Sequence, residues 1–241
     1  MPTHGKGANI FANGFDLSPF LSSIDQTQTV DTAEVTTFTA QSKAYVAGQV
    51  DGTLSMSGYF DGVASGVDEV LSAALDSDSA TVLTVAEGGV GMVGNRALVA
   101  SGLASGYNIT ASVSEAVQVS AEFQLDGSGI GNFGTHRGVV LANGTSITSA
   151  SQNYSAIDNG GASSNGIIAN LHITASDQST IAKIQHSTDN VNWSDLVTFA
   201  SIAAGRGAER RIVTGTVNRY LRATWSGTLG TRTVVITAAR M

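Results

Sequence analysis

The chain has 241 residues, enough for one large β domain or two of about 100–140 residues each. It carries 28 glycines, two prolines, no cysteine and only 13% charged residues; disulfides and thiolate metal sites are therefore excluded, and so sparse a charge fits a surface partly covered by other subunits. The formal net charge of −7 is uneven, with fourteen acidic and three basic residues (Lys6, Lys43, Arg96) up to Ile130, and five acidic and nine basic after it; the first half lacks the Lys and Arg needed to grip phosphates.

Met1–Asn13 is polar and glycine-rich and reads as an N-terminal arm. No apolar core of a signal peptide follows His4–Asn9, and no run of ~18 apolar residues predicts a membrane span. Two strand-like stretches, Val30–Phe38 and Thr53–Phe60, flank a polar excursion over Thr39–Gly52 that carries Lys43, Tyr45 and Asp51. In the second stretch Leu54 and Met56 alternate with serines. Val67, Val70, Leu71, Ala74 and Leu75 then fall on one helical stripe, with Ser65 placed to cap it and Asp68 as the acidic partner of a capping box.

Thr81–Val85 is a further strand, and the longest alternation follows, from Ile109 to Leu125. Its polar face carries Thr110, Ser112, Gln118, Ser120, Glu122 and Gln124. Glu115 interrupts the apolar row, which predicts either two strands with a turn at Ser114–Ala116 or one long strand with a bulge. Such regular alternation means one buried and one polar face, as in antiparallel sheets. Asp126–Gly144 is glycine-rich and marks a boundary near residue 135, dividing the chain into 1–135 and 136–241. Beyond it, strands are expected at Gly166–Thr174, Ile181–His186, Leu196–Phe199, Arg210–Val217, Tyr220–Trp225 and Thr231–Ala238, with turns at Asp158–Gly161 and Ser187–Asn192.

No motif in the chain makes a convincing catalytic, metal or cofactor site. Gly89, Gly91 and Gly94 have the dinucleotide spacing, with the acid Glu115 about 20 residues on, and Gly129, Gly131 and Gly134 repeat it. Alternating β sequence resumes so soon after Gly94 that a βαβ unit has little room. His4, His136, His172 and His186 show no ligand spacing, and the latter two read as sheet residues. Asp189 and Asp195 could pair as glycosidase carboxylates, but they flank a hairpin where a turn-forming Asp is the plainer role. Arg206, Arg210, Arg211, Arg219 and Arg222 lack the aromatic interleaving of a nucleic-acid platform and read as outward or inter-subunit charge.

GFDLSPFL (14–21), the run VDTAEVTTFTAQSKAYVAGQVDGTLSMSGYFDG (30–62), the helix after it and, later, KIQHSTDNVNWSDLVTF (183–199) with RRIVTGTVNRYLRATW (210–225) resemble, in order and spacing, the major tail (tail tube) proteins of long-tailed bacteriophages. Ser187–Trp193 is also similar to an Asp-box hairpin, without its glycine and with the Trp one residue early. The resemblance implies a mainly β fold: an antiparallel β-sandwich or barrel with one short helix, plus a C-terminal β-sandwich anchored by Trp193, Phe199, Tyr220 and Trp225. It implies a non-enzymatic virion protein, made in the host cytoplasm, without cofactor or membrane. Its partners would be further copies of itself in stacked, hexameric rings, the tape-measure protein, and terminator and tip proteins, with DNA passing through unbound. On this reading Lys43, Tyr45 and Asp51 lie at a subunit interface, as does the N-terminal arm, and Glu122 faces the lumen. The rival expectation is a decoration or carbohydrate-binding sandwich using Trp193 or Trp225.

Overall fold

Alternating short apolar and hydroxyl side chains, with few prolines to break a ladder, favour paired strands over helices. In the computed structural model, which describes residues 5–39, 41–125 and 136–241, almost all regular structure is antiparallel sheet. The first half contributes β1 (Asn9–Ala12), β2 (Phe15–Asp16), β3 (Leu21–Glu34), β4 (Tyr45–Tyr59), α1 (Val67–Leu75), β5 (Thr81–Ala86), β6 (Arg96–Thr110) and β7 (Gln118–Leu125). The second contributes β8 (His136–Asn153), β9 (Ile157–Asp158), β10 (Ile167–Ser176), β11 (Thr180–Ser187), β12 (Ser194–Thr198), β13 (Gly207–Val213) and β14 (Tyr220–Arg240).

Strands of the first half pair in the order β2, β1, β5, β6, β7, β4, β3. Along β7, Val119, Ala121, Phe123 and Leu125 are buried while Gln118, Ser120, Glu122 and Gln124 are exposed. The Glu115 interruption is a turn between two strands, β6 and β7. Against the inner face lies α1, whose Val67, Val70, Leu71 and Ala74 join Leu54, Met56, Leu83, Leu98 and Phe123 in one core. The helix begins one residue later than the capping box requires. Gly66 is its N-cap, without a side-chain cap bond, and Ser65 sits in the left-handed region at φ 65°. Glu69 reaches back to the residue before the N-cap, its Oε2 accepting the Ser65 N–H at 2.6 Å. Asp68 instead accepts the Tyr107 hydroxyl at 2.5 Å, tying the helix to β6.

The spine of the second half is β14. Read in the sequence as two strands, it is one strand of 21 residues, because Gly227–Leu229 pass through a register shift against β8 rather than turning back. On its other edge β11 pairs with the first part of β14 and β10 with the last. Trp225, Phe199, Leu141, Leu171 and Ile184 sit at the centre of this core.

The halves are joined in two ways. Arg96–Val99 of β6 pair with β8, and β10 packs across β5 and β6. The packing is polar as well as apolar. Asn170 Nδ2 donates to the carbonyls of Leu83 and Ala100, both at 2.8 Å, and its Oδ1 accepts from Arg210 at 3.0 Å. His172 Nδ1 accepts the Gly14 N–H at 3.2 Å, its Nε2 lies 3.0 Å from Thr84 Oγ1, and Thr84 meets Thr237 at 3.2 Å.

Candidate assembly surfaces

The sequence places a loop over Thr39–Gly52; the structure places most of it in strand. Pairing of β3 with β4 continues from Leu21–Gly58 out to Glu34–Tyr45, which leaves only the end of a long two-stranded ribbon as turn. The run was obscure in sequence because beyond Gln26 residues on both faces of β3 are exposed, so no apolar alternation marks it. At the tip Glu34 accepts from Lys43 Nζ at 2.9 Å and from Thr36 Oγ1 at 2.8 Å, and Thr36 Oγ1 accepts the Ala44 N–H at 3.1 Å. Lys43 holds the Glu34 carboxyl below its usual range, with Thr36 assisting. The turn is therefore fixed by its own side chains, and it presents Val35 and Phe38 outward.

The three residues expected to act together are spread along this ribbon. Lys43 is in the turn, Tyr45 is exposed opposite Glu34, and Asp51 lies ~20 Å away by strand rise. Asp51 Oδ1 is taken up by Gln124 Nε2 and by the Gly52 N–H at 2.8 Å, at the point where the ribbon joins the body. From Thr53 onward β4 is flanked by β7 on its second edge, whereas before Thr53 its only partner among the described residues is β3. Among the described residues β3 has no partner but β4 along its whole length. Such an edge is a template for another strand unless something covers it.

Glu122 is exposed on the outer face of β7. There a shallow trough runs across β3, β4, β7 and β6, lined by Ser23, Asp25, Ser55, Ser57, Ser120 and Glu122 among others. The registers Asp25–Ser55 and Ser55–Glu122 set these side chains in rows across the strands. Neither β3, β4, β7 nor β6 beyond Leu103 contains a Lys or Arg. The result is a smooth face of hydroxyls, amides and carboxylates, which repels phosphate and offers it no cation. Asp25 was not singled out in the sequence; only the register of β3 against β4 brings it onto this face.

Other sequence candidates have structural roles. Asp189 Oδ1 accepts the N–H groups of Val191 (2.9 Å) and Asn192 (2.8 Å) and the Ser187 hydroxyl, which holds its carboxyl far below the usual range. Asp195 pairs with Lys183 at 2.5 Å and accepts from Gln185 at 2.8 Å. His172 is fully buried, and burial pushes its imidazole down to about 3. His186 is a partly buried strand residue accepting the Asn218 N–H at 3.2 Å. Trp225 is buried beneath Arg232, while Trp193 stacks with Arg222 at 4.2 Å and stays partly open. Arg232, which the sequence did not flag, is buried without a carboxylate; Thr180, Ser149, Gly230, Ser179 and Thr228 accept its donors. Gly89 and Gly94 lie in the β5–β6 connection, which is turn rather than a strand–helix unit. Gly129, Gly131 and Gly134, and His4, lie outside the described residues. Among the described residues no three His, Asp or Glu side chains gather as metal ligands, and no helix is long and apolar enough to cross a membrane.

No family model and no curated protein matches the chain. Among solved structures it is similar to a chain of the virion of a native gene transfer agent particle, at 13% identity and TM-score 0.43, over 53% of this chain and 96% of that one. The SPP1 tail tube is similar at 11% identity and TM-score 0.43, over 56% of this chain and 78% of that one. The SPP1 Dit protein, described as a hub of the adsorption apparatus, is similar at 8% identity and TM-score 0.36, over 96% of this chain and 98% of that one. All three likenesses are loose, and none decides what the chain does.

Proposed function

We propose that this protein is a structural subunit of a phage-type tail tube, which self-associates into rings that stack around a channel for DNA. The observation that carries the reading is the β3–β4 ribbon: a long edge with no partner among the described residues, fixed at its tip, continuous with a wall face that holds carboxylates and no cation. Edge strands of this length are normally blunted or covered. Covering them with a neighbouring copy removes the edge and, when the contact is heterologous and closes, makes a ring. Lys43, Tyr45 and Asp51 then sit along the bridging element, and Asp25 and Glu122 line the lumen. Residues 1–135 build the wall, while 136–241 stiffen its outside or extend it. Hexameric rings, the tape-measure protein and the terminator and tip proteins follow from the family resemblance and belong to this proposal. So does the absence of catalysis.

The glycan-binding alternative is left with Trp193, because Trp225 is 1% exposed. Negative-stain electron microscopy of the full-length protein over a concentration series separates the readings. Stacked rings or hollow tubes are the expected result; small compact particles at every concentration would overturn the tube.

A further inference from the structure

Among the described residues the first-half sheet does not close on itself. The corner Leu17–Leu21 joins β1 to β3 at one end, through the Leu17 N–H donating to Ile10 O at 2.9 Å and the Leu21 N–H donating to Leu17 O at 3.2 Å. Away from that corner the two strands part, and a groove of about 890 Å³ opens between the start of β3 and the elements β1, β5 and β8. Its lining is apolar at Ile10, Ile24 and Val85 and charged at Lys6, Glu87 and Arg137. Glu87 pairs with Arg137 through Oε1, while its Oε2 is buried without a hydrogen-bond partner. A buried carboxylate oxygen left this way costs free energy until a donor reaches it. One whole strand edge of β3 also stands without a pairing partner among the described residues.

The geometry points to this groove as the seat for the β3–β4 ribbon of a second copy, with the β4 edge that has no partner among the described residues lying along it as an added strand. The inference rests on the self-assembly reading above and names the receptor for its bridging element. Three observations select this occupant. First, groove and ribbon have complementary charge. Up to Ile130 the chain has only three basic residues, yet here Lys6 stands beside Arg137 with one carboxylate, whereas the ribbon carries Asp31, Glu34 and Asp51 against Lys43. Second, the ribbon has apolar groups of its own that nothing covers, with Val30, Tyr45 and Val46 each about half exposed and Phe38 fully so. These match an apolar floor with a polar mouth. Third, the run of β4 before Thr53 has, among the described residues, no partner on its second edge and spans about 26 Å, long enough to follow β3 from Ser22 to Gln26. An added strand pairs its backbone N–H and C=O groups with those along the open edge of β3, and this is how strand addition gains affinity.

The contact is heterologous: the ribbon of one copy enters the groove of the next, and each copy keeps one free groove and one free ribbon. Because the natural chain has no cysteine, single-cysteine variants report it cleanly. Purified Tyr45→Cys and Gln26→Cys full-length proteins are mixed and treated with a short bis-maleimide. Each variant is also treated alone, and Gln26→Cys is mixed with Val113→Cys, whose cysteine lies in the β6–β7 turn. The Tyr45→Cys with Gln26→Cys mixture should give about tenfold more cross-linked dimer than any control, since seating raises the effective concentration of the two thiols toward mM. Equal yields in all mixtures would overturn the groove as the seat. Electron microscopy of the same samples keeps the two readings apart. Tubes without the selective cross-link would sink the groove and leave the tube standing, and a selective cross-link in small oligomers would do the reverse.

Discussion

His172 shows how a residue with no motif around it can control a fold. Its ring lies between the β1–β2 turn and β5, accepting one backbone N–H and meeting Thr84, with Phe11 stacked at 5.6 Å. Nδ1 accepts, so Nε2 carries the proton and the ring is neutral. A second proton would displace the Gly14 bond and place a charge where there is no solvent. The folded pKa of about 3 lies below the unfolded value of 6.5, so the unfolded chain binds more protons between these limits. Stability therefore falls as pH drops from 6.5 toward 3, by at most about 1.4 kcal/mol per pH unit from this residue. His186 contributes with the same sign. Asp158, Asp189 and Asp195 have depressed values, so their loss begins only as pH approaches 3.8. Thermal melts of the wild type and His172→Gln between pH 7 and 4.5 should converge. The variant loses about 1–3 kcal/mol at pH 7 through the disturbed Gly14 bond and has a shallower acid slope. Parallel curves would show that His172 does not set that slope. The sequence identified His172 as a sheet residue from its apolar neighbours; its partners, Gly14 and Thr84, lie far away in the chain and left no local signal.

Elements were legible in proportion to how one-sided they are. The stripe Val67–Leu75 and the alternation of β7 were readable because each buries one face. Beyond Gln26 β3 buries neither face, and β14 changes register at its glycines, so periodicity failed at both. The same contrast separates the helix, which stabilises the fold, from the ribbon, to which the proposed assembly is assigned. A nine-residue helix with no side-chain cap is held by packing rather than by its own propensity. Leu71, 1% exposed beneath it, should cost about 2–4 kcal/mol when changed to Ala, read as a lower midpoint in denaturant unfolding. Phe38→Ser, at the ribbon tip, should leave the free energy of unfolding within about 0.5 kcal/mol of wild type while weakening the proposed assembly in sedimentation runs. A Phe38 variant that unfolds early would show that the tip packs within its own subunit.

At the scale of the whole molecule, the change in charge and the glycines near residue 135 suggested a division of the chain; the buried residues of one large core run from Ile10 to Leu125, and those of another from Leu141 to Ala238, with Val93 packed against the latter. Local composition could not reveal what lies between them. Phe11, Ala86 and Ala97 pack with Val140 and Val235, and Val99 packs with Ile168 and Ala239, so two smaller cores are built from both halves. The carbonyls of Leu83 and Ala100 are capped by Asn170, and the edge of β6 at Arg96–Val99 is paired by β8. A fragment ending at residue 135 would expose those apolar side chains, leave the two carbonyls without their amide donor and open a strand edge in the middle of its sheet. Each loss alone is tolerable, but together they remove one wall of the β5–β6 layer. The fragment 1–135 should therefore be soluble only at low concentration and lack the cooperative thermal transition of the full chain in circular dichroism, while fragment 136–241, with the larger core, retains one. A sharp transition in 1–135 near the full-length midpoint would mean that the seam joins two already complete bodies.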